Sequence, residues 1–357
     1  MRIAPPAVSG DQLADVDTPA LLLDLDAFEA NIARLHDEVL PTGIAIRPHG
    51  KAHKCPEIAR RQIAAGAVGI CAQSLGEAEV FVRAGIADVL LSNEIAGADK
   101  AARLAALAGT ARVAVCVDLP EQVAHLAAAT AGAGTTLGVL VEVATGRRCG
   151  VSGVAEALRL ADDIGAAPGL ELRGLQVYAG SAQHFRQPGD RAAAIERARA
   201  AAEPIRDALG VRHVTGGGTG TYPLEMASGL WTEIQPGSYV LMDADYALND
   251  EPPPFRQAIS VLARVISTHR DRVVVDAGHK AIAVDSGDPT PPAGLLVFGL
   301  SDEHTILLVD EGGSPAYGST VQLIPGHCDP TVNLHDWIVA TRGEVVEDVW
   351  LVEARGA

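Results

Sequence analysis

The chain has 357 residues, with 45 acidic against 28 basic side chains and a formal charge of −17 spread along its length. That balance speaks against nucleic acid as a partner, and the length supports a full hydrophobic core in about two domains or one barrel with an appendage. Five widely spaced cysteines without a CxxC pair suggest neither a disulfide framework nor a cysteine-rich zinc site.

The opening residues, "MRIAPPAVSGDQLADVDTP", lack the basic start and apolar stretch of a signal peptide, and no later run is apolar for long enough to span a bilayer. Cytoplasmic placement without a membrane partner is the resulting expectation. From residue 20 to about 245, short β-rich runs alternate with alanine-rich helical stretches, the pattern of parallel strands joined by crossover helices. In chain order the strand candidates are "ALLLDLD", "IAIRPH", "VGICAQS", "DVLLSNE", "RVAVCVD", "LGVLVEV", "GLQVYAG", "RHVTGGG" and "GSYVLMD". Between them, stretches such as "DAFEANIARLHDEV", "CPEIARRQIAAG" and "RAAAIERARAAAEPIRDAL" repeat apolar residues at helical spacing. Nine runs are one too many for an eight-stranded barrel. If the first pairs elsewhere, the eight from "IAIRPH" to "GSYVLMD" make a (β/α)8 barrel; a doubly wound open sheet is the alternative.

After "NDEPPP" the texture changes to "AISVLARVIST", "RVVVDAG", "LLVFGL", "TILLVDEG", "TVQLIP" and "DVWLVEA", separated by turns and without a convincing helix. This predicts a β-rich second domain that the orphan first strand can complete. The expected division is an α/β barrel over residues 23–250 and a β-rich domain built from 1–22 and 251–357.

The stretch "RPHGKAHKC" places Lys51 between His49 and His53 at the end of the first barrel strand. On an extended strand all three share a face. A partly desolvated lysine beside cationic neighbours has a lowered pKa and becomes a competent amine for a Schiff base. Two rival readings are a surface lysine in a loop and a barrel hydrolase with His49 and His53 as metal ligands. "TGGGTGTYP" follows the seventh barrel strand and "QPGSY" opens the eighth; glycine-rich backbone there suits an anion. A lysine at strand one and an anion cup at strand seven together fit pyridoxal phosphate.

"VEVATGRRCGVS" carries Arg147 and Arg148, either able to reach a cofactor ring or its phenolic oxygen, and "QVYAGSAQH" puts Tyr178 at a strand end with His184 six residues later as a candidate base. In "PGHCDPTVNLHD", His327 and Asp329 lie two apart; on an extended segment they would share a face and hold one divalent ion with Cys328 turned away. Imidazole with carboxylate suits Mn²⁺ or Mg²⁺, and tolerates Co²⁺ or Zn²⁺.

With these residues in hand, the sequence resembles the D-threonine aldolase and D-serine dehydratase family, whose members share the alanine racemase-like fold. "DTPALLLDLDAFEANI", "RPHGKAHK", "GEAEV", "SNEI", "RCGV", "GGGTGTY", "QPGSYVLMDADY", "VDAGHKA" and "PGHCDPTVNL" occur in the family's order over nearly the whole chain. The resemblance implies pyridoxal phosphate and a divalent metal as cofactors, a homodimer, and a small D-β-hydroxy amino acid as substrate. It matches Lys51 to the Schiff-base lysine and implies His184 as the base. It also implies Arg148 and Tyr178 as cofactor contacts, Gly217, Gly218, Thr219, Ser238 and Tyr239 near the phosphate, and His327 with Asp329 as metal ligands. The resemblance implies a Cys in the dehydratase branch where this chain has Asp329. Asp329 therefore points to an aldolase of D-threonine, D-phenylserine or 3-hydroxy-D-aspartate type. The alternatives are a D-serine dehydratase first, then an amino-acid racemase, a barrel hydrolase or a non-catalytic cofactor carrier.

Overall fold

The computed structural model describes residues 4–146, 148–310 and 313–357. Among the described residues, sixteen strands form two eight-stranded sheets. In chain order they are β1 (Ala20–Asp24), β2 (Ala45–Ile46), β3 (Ile70–Ala72), β4 (Asp88–Leu91), β5 (Arg112–Val117), β6 (Leu137–Glu142), β7 (Leu170–Val177), β8 (His213–Gly216) and β9 (Glu233–Ile234). They continue with β10 (Ile259–Thr268), β11 (Arg272–Val275), β12 (Leu295–Leu300), β13 (Thr305–Val309), β14 (Thr320–Leu323), β15 (Trp337–Arg342) and β16 (Val345–Leu351).

Strands β2 to β9 are parallel and ordered β2-β9-β8-β7-β6-β5-β4-β3. The two ends of this curled sheet meet through a bridge between His49 and Cys71 and through the Val68 amide donating to the Ile46 carbonyl. The result is a (β/α)8 barrel. Every residue of β6, "LGVLVE", is buried, as both faces of a parallel strand must be when helices cover one side and the barrel interior the other.

The helix Leu25–Val39 shows why the crossovers form where they do. Asp24 caps it by accepting from the Ala27 amide at 3.0 Å, and Leu25, Phe28, Ile32, Leu35 and Val39 recur on one buried stripe. Burying each large apolar side chain of this stripe contributes about 1.5–3 kcal/mol relative to leaving it in water.

The second sheet runs β12-β13-β11-β10-β1-β15-β16, with β14 also on β10. As expected, the first strand joins it: β1 pairs antiparallel with β10 (Leu21 opposite Val261) and parallel with β15 (Leu21 opposite Ile338).

Three expectations need correction. "GSYVLMD" is not the eighth barrel strand; that role falls to Glu233–Ile234, and Ser238–Val240 forms a 3-10 turn. Pro236 and Gly237 stop the strand, and the buried side chains of Tyr239, Val240 and Leu241 pack into the core as a turn, which produces the same apolar run. The second domain does hold a helix, the single turn Cys328–Val332. It also holds the strand β15, which the sequence reading passed over although "WIVATR" is apolar and β-branched.

Candidate active site

Two adjoining cavities of about 350 Å³ and about 220 Å³ open at the C-terminal ends of the barrel strands. His49, Lys51, Tyr178, Gly180 and Gln235 line both. The first extends to Glu142 and Arg148; the second reaches Gly218, Thr219, Gly237, Ser238, His184, His327 and Asp329. Loops after several different strands thus supply the site, as in other barrels of this kind.

Lys51 sits in the 3-10 turn Gly50–Ala52 just after β2, so the shared-face argument from an extended strand does not hold. Gly50 is needed at this turn, since a Cβ there would lie 2.5 Å from the Phe81 ring. His49 precedes the turn and its Nδ1 accepts from the Lys51 amide at 3.4 Å, while Nε2 lies 3.1 Å from Gln73 Oε1 and 3.0 Å from Ser92 Oγ. His53 stacks edgewise on Phe81 and its Nδ1 accepts from the Cys55 amide at 3.1 Å. Burial pushes both imidazoles down, His53 to about 4, so neither is a cation at neutral pH. The expected lowering of the Lys51 pKa is therefore reversed. Burial alone would lower it, but attraction from Tyr178, Asp329 and Glu77 outweighs burial and holds the ammonium charged.

The glycine-rich loops behave as a cup. Gly218 and Gly237 line the smaller cavity, and a Cβ would stand 2.6 Å from the Gln183 side chain at the first and 3.0 Å from the His49 carbonyl at the second. Gly217 lies beneath, at φ +80°, against Glu225. Thr219 Oγ1 is buried in this wall without a hydrogen-bond partner among the described residues. A buried hydroxyl without a partner beside open backbone fits a phosphate. "QPGSY" follows the eighth strand instead of opening it, so both loops lie where barrels hold phosphate. Tyr239 does not join the cup with its side chain: the ring is in the core and its hydroxyl meets Gln62 Nε2 at 3.1 Å.

Arg148 lines the larger cavity and donates to Glu142 Oε1 at 2.6 Å and Asn93 Oδ1 at 2.9 Å. Arg147 lies outside the described residues. Burial first, and then the nearby Glu94 charge, push the Glu142 carboxyl up to about 8 in spite of Arg148. Glu94, Asp118 and Cys149 cluster behind this arginine.

His327 stands at the N-terminal boundary of the Cys328–Val332 helix, and that helix lies against the Lys51 turn. Asp329 is therefore in a helical first turn, and the extended-segment argument for His327 and Asp329 gives way to this geometry. Cys328 is fully buried, its amide donating to Asp243 Oδ2 at 2.9 Å and its Sγ to Asp329 Oδ1 at 3.3 Å. His327 Nδ1 lies 2.7 Å from Asp285 Oδ2, which leaves Nε2 for an ion, and Asp329 Oδ1 accepts from Ser238 Oγ at 3.2 Å, which leaves the other oxygen. An imidazole and a carboxylate facing one cavity fit a divalent ion whose shell water or substrate completes.

His184 ends the 3-10 turn after β7, and its ring meets that of His327 edgewise with centroids 6.4 Å apart. Sequence reasoning missed Asp245, Arg186, Asp285, Gln235 and Glu142. Asp245 and Gln235 stand inside the quoted "QPGSYVLMDADY" block; Asp285 has no local signal and reaches His327 only through the fold.

Comparison with known proteins adds a family to this geometry. Residues 23–245 match the alanine racemase N-terminal domain family and residues 258–341 a serine dehydratase domain family. The chain is 44% identical to a D-threonine aldolase of Arthrobacter sp. over 100% of its own length and 97% of the relative's. It is 41% identical to the 3-hydroxy-D-aspartate aldolase of Paracoccus denitrificans (strain Pd 1222), with 98% and 95% covered. A D-threo-3-hydroxyaspartate dehydratase of Delftia sp. (strain HT23) is more distant at 31%, with 90% and 93% covered. The crystal structure of D-threonine aldolase from Filomicrobium marinum superposes with a TM-score of 0.96 at 45% identity, covering 98% of this chain and 99% of that one. Similarity at this level across both sheets makes the chain a member of the pyridoxal phosphate-dependent, alanine racemase-like family of D-threonine aldolases and D-serine dehydratases.

Proposed function

We propose that this protein cleaves D-β-hydroxy amino acids between Cα and Cβ, giving glycine and an aldehyde, with pyridoxal phosphate and a divalent metal as cofactors. The observation that carries the reading is Asp329, with His327, facing the Lys51 cavity while Cys328 is buried behind it. The cofactor supplies a sink for the electron pair released at Cα, and the metal supplies a Lewis acid toward the β-hydroxyl oxygen.

This chain's residues do the rest. Lys51 would hold the cofactor covalently, Arg148, Tyr178 and Gln235 would contact its ring, and Gly217, Gly218, Thr219 and Ser238, with the Tyr239 backbone, would hold its phosphate. His327 and Asp329 would hold the ion, for which Mn²⁺ or Mg²⁺ is the best match to an imidazole and a carboxylate. His184 takes the proton of the substrate's β-hydroxyl. In this reading the barrel unit, 23–250, supplies the cofactor site and the β-rich unit supplies the metal ligands. The working form is a cytoplasmic homodimer acting on a small amino acid. No helix among the described residues is long and apolar enough to cross a membrane.

The test is to incubate the protein with pyridoxal phosphate, Mn²⁺ and D-threonine and to assay acetaldehyde, glycine and 2-oxobutanoate separately. Acetaldehyde with glycine in equal amounts is the expected result. Formation of 2-oxobutanoate instead would replace the aldolase with the dehydratase.

A further inference from the structure

We infer that Asp245, braced by Arg186, is the positioning residue for His184: it fixes the imidazole as the Nδ1–H tautomer and turns the free Nε2 toward His327 and the cavity. The inference rests on the reading of His184 as the group that takes the β-hydroxyl proton.

The geometry runs from backbone to ring. Residues 244 and 245 are tied to the metal-ligand turn, the Ala244 amide donating to the Pro325 carbonyl at 3.0 Å and the Asp245 amide to the Gly326 carbonyl at 3.2 Å. Asp243 adds a third tie through the Cys328 amide. The Asp245 side chain is 6% exposed and meets His184 Nδ1 with Oδ2 at 2.8 Å. Its Oδ1 accepts from Arg186, whose guanidinium also donates to the Asp245 carbonyl at 2.7 Å and to Asn249 Oδ1 at 2.6 Å. Burial opposes ionisation of Asp245, yet the hydrogen bonds from Arg186 and His184 and the guanidinium charge of Arg186 overcome it and hold the carboxyl below its ordinary pKa.

An ionised carboxylate only accepts, so the ring nitrogen facing it carries the proton. Nε2 is then the lone-pair nitrogen. The His184 side chain is 51% exposed, so packing alone does not fix its ring; the carboxylate does. A second carboxylate treats His327 the same way, since Asp285 sits on its Nδ1. Both imidazoles thus have Nδ1 on a carboxylate and line one cavity with rings 6.4 Å apart, which leaves one Nε2 for the ion and one for the proton.

The experiment reads the tautomer itself. Holoenzyme carrying ¹⁵N-histidine, loaded with pyridoxal phosphate and Mg²⁺, is compared by long-range ¹H–¹⁵N correlation with Asp245→Asn, Asp245→Glu and His184→Ala, and each is assayed for kcat and KM. His184→Ala assigns the ring signals. Wild type is expected to show His184 protonated at Nδ1, and Asp245→Asn a mixture with the Nε2–H form. That variant should lose kcat by about 10²-fold, in the range of other outer partners of a working imidazole, with KM within about 3-fold. Asp245→Glu, which keeps the carboxylate, should recover most of both readouts. Unchanged ring shifts and unchanged kcat in Asp245→Asn would overturn the inference and leave the aldolase reading standing. Undiminished kcat in His184→Ala would overturn the reading of His184 and with it this inference.

Discussion

His49 and His53 flank Lys51 in the chain, whereas His184 and His327 meet only where the barrel joins the β-rich sheet. The first two are buried, hydrogen-bonded to backbone or neutral side chains, and held uncharged by desolvation. Each of the second two is partly open to solvent, at 51% and 26% side-chain exposure, and carries a carboxylate on Nδ1. The conspicuous pair shapes the lysine turn, and the inconspicuous pair has the partners that proton transfer and metal binding require. Histidine density in a sequence is thus a weaker sign of chemistry than an acid placed behind one ring nitrogen.

The comparison can be broken most severely at Lys51. Lys51→Ala is expected to abolish the visible absorbance of bound cofactor and to lower activity by at least about 10³-fold; an unchanged spectrum would remove Lys51 from the scheme. The next test is on the carboxylate behind His327. Asp285→Asn should weaken Mn²⁺ binding by about 10–100-fold, read by titration of the free ion, and the same loss should appear in activity at limiting metal. Full chelation should abolish turnover, and its survival without divalent ions would contradict the role given to His327 and Asp329.

On the other side of the comparison, His53→Ala should cost stability and leave metal stoichiometry unchanged. It removes a buried ring from Phe81 and leaves the Cys55 amide unpaired, a loss of about 2–4 kcal/mol by urea unfolding. Loss of bound metal in that variant would revive His53 as a ligand.

The smallest effect concerns Glu225 beneath the cup, whose carboxyl burial pushes from 4.5 to about 7. The folded state holds its proton over that interval while the unfolded chain releases it. Stability is therefore fully present below the lower value, falls as pH rises toward the upper one, and is level beyond it. Glu225→Gln should gain on the order of 2–3 kcal/mol relative to wild type between about pH 5 and about pH 8, read as a shift in urea midpoint.

Much of the fold was legible because it rests on local periodicity. The buried stripe of Leu25–Val39 and the apolar run of β6 up to Glu142 announce themselves by spacing alone. The eighth barrel strand did not, because Glu233–Ile234 spans two residues and the louder apolar run lies just past Pro236. At the site, Lys51, His184, His327 and Asp329 could be named from motif and resemblance, and the structure gathers all four at one cavity. Tyr239 could not be placed, since whether a tyrosine after a glycine turn points to a ligand or the core is decided by packing from Gln62, far away in sequence. Asp285 was invisible for the same reason.

The placement of β1 has a consequence for how the molecule is made. This strand leaves the ribosome before the barrel strands, yet its partners β10 and β15 follow them, with the whole barrel synthesised in between. A nascent chain can close the barrel while β1 still waits as an unpaired apolar segment, and the turn bearing His327 and Asp329 then docks on residues 243–245. Long-range pairing of this kind slows folding and exposes a strand edge in the meantime. Assembly of this cavity is thus a late event in biogenesis, and a chain stalled before residue 327 would carry Lys51 on a sheet that still lacks His327 and Asp329.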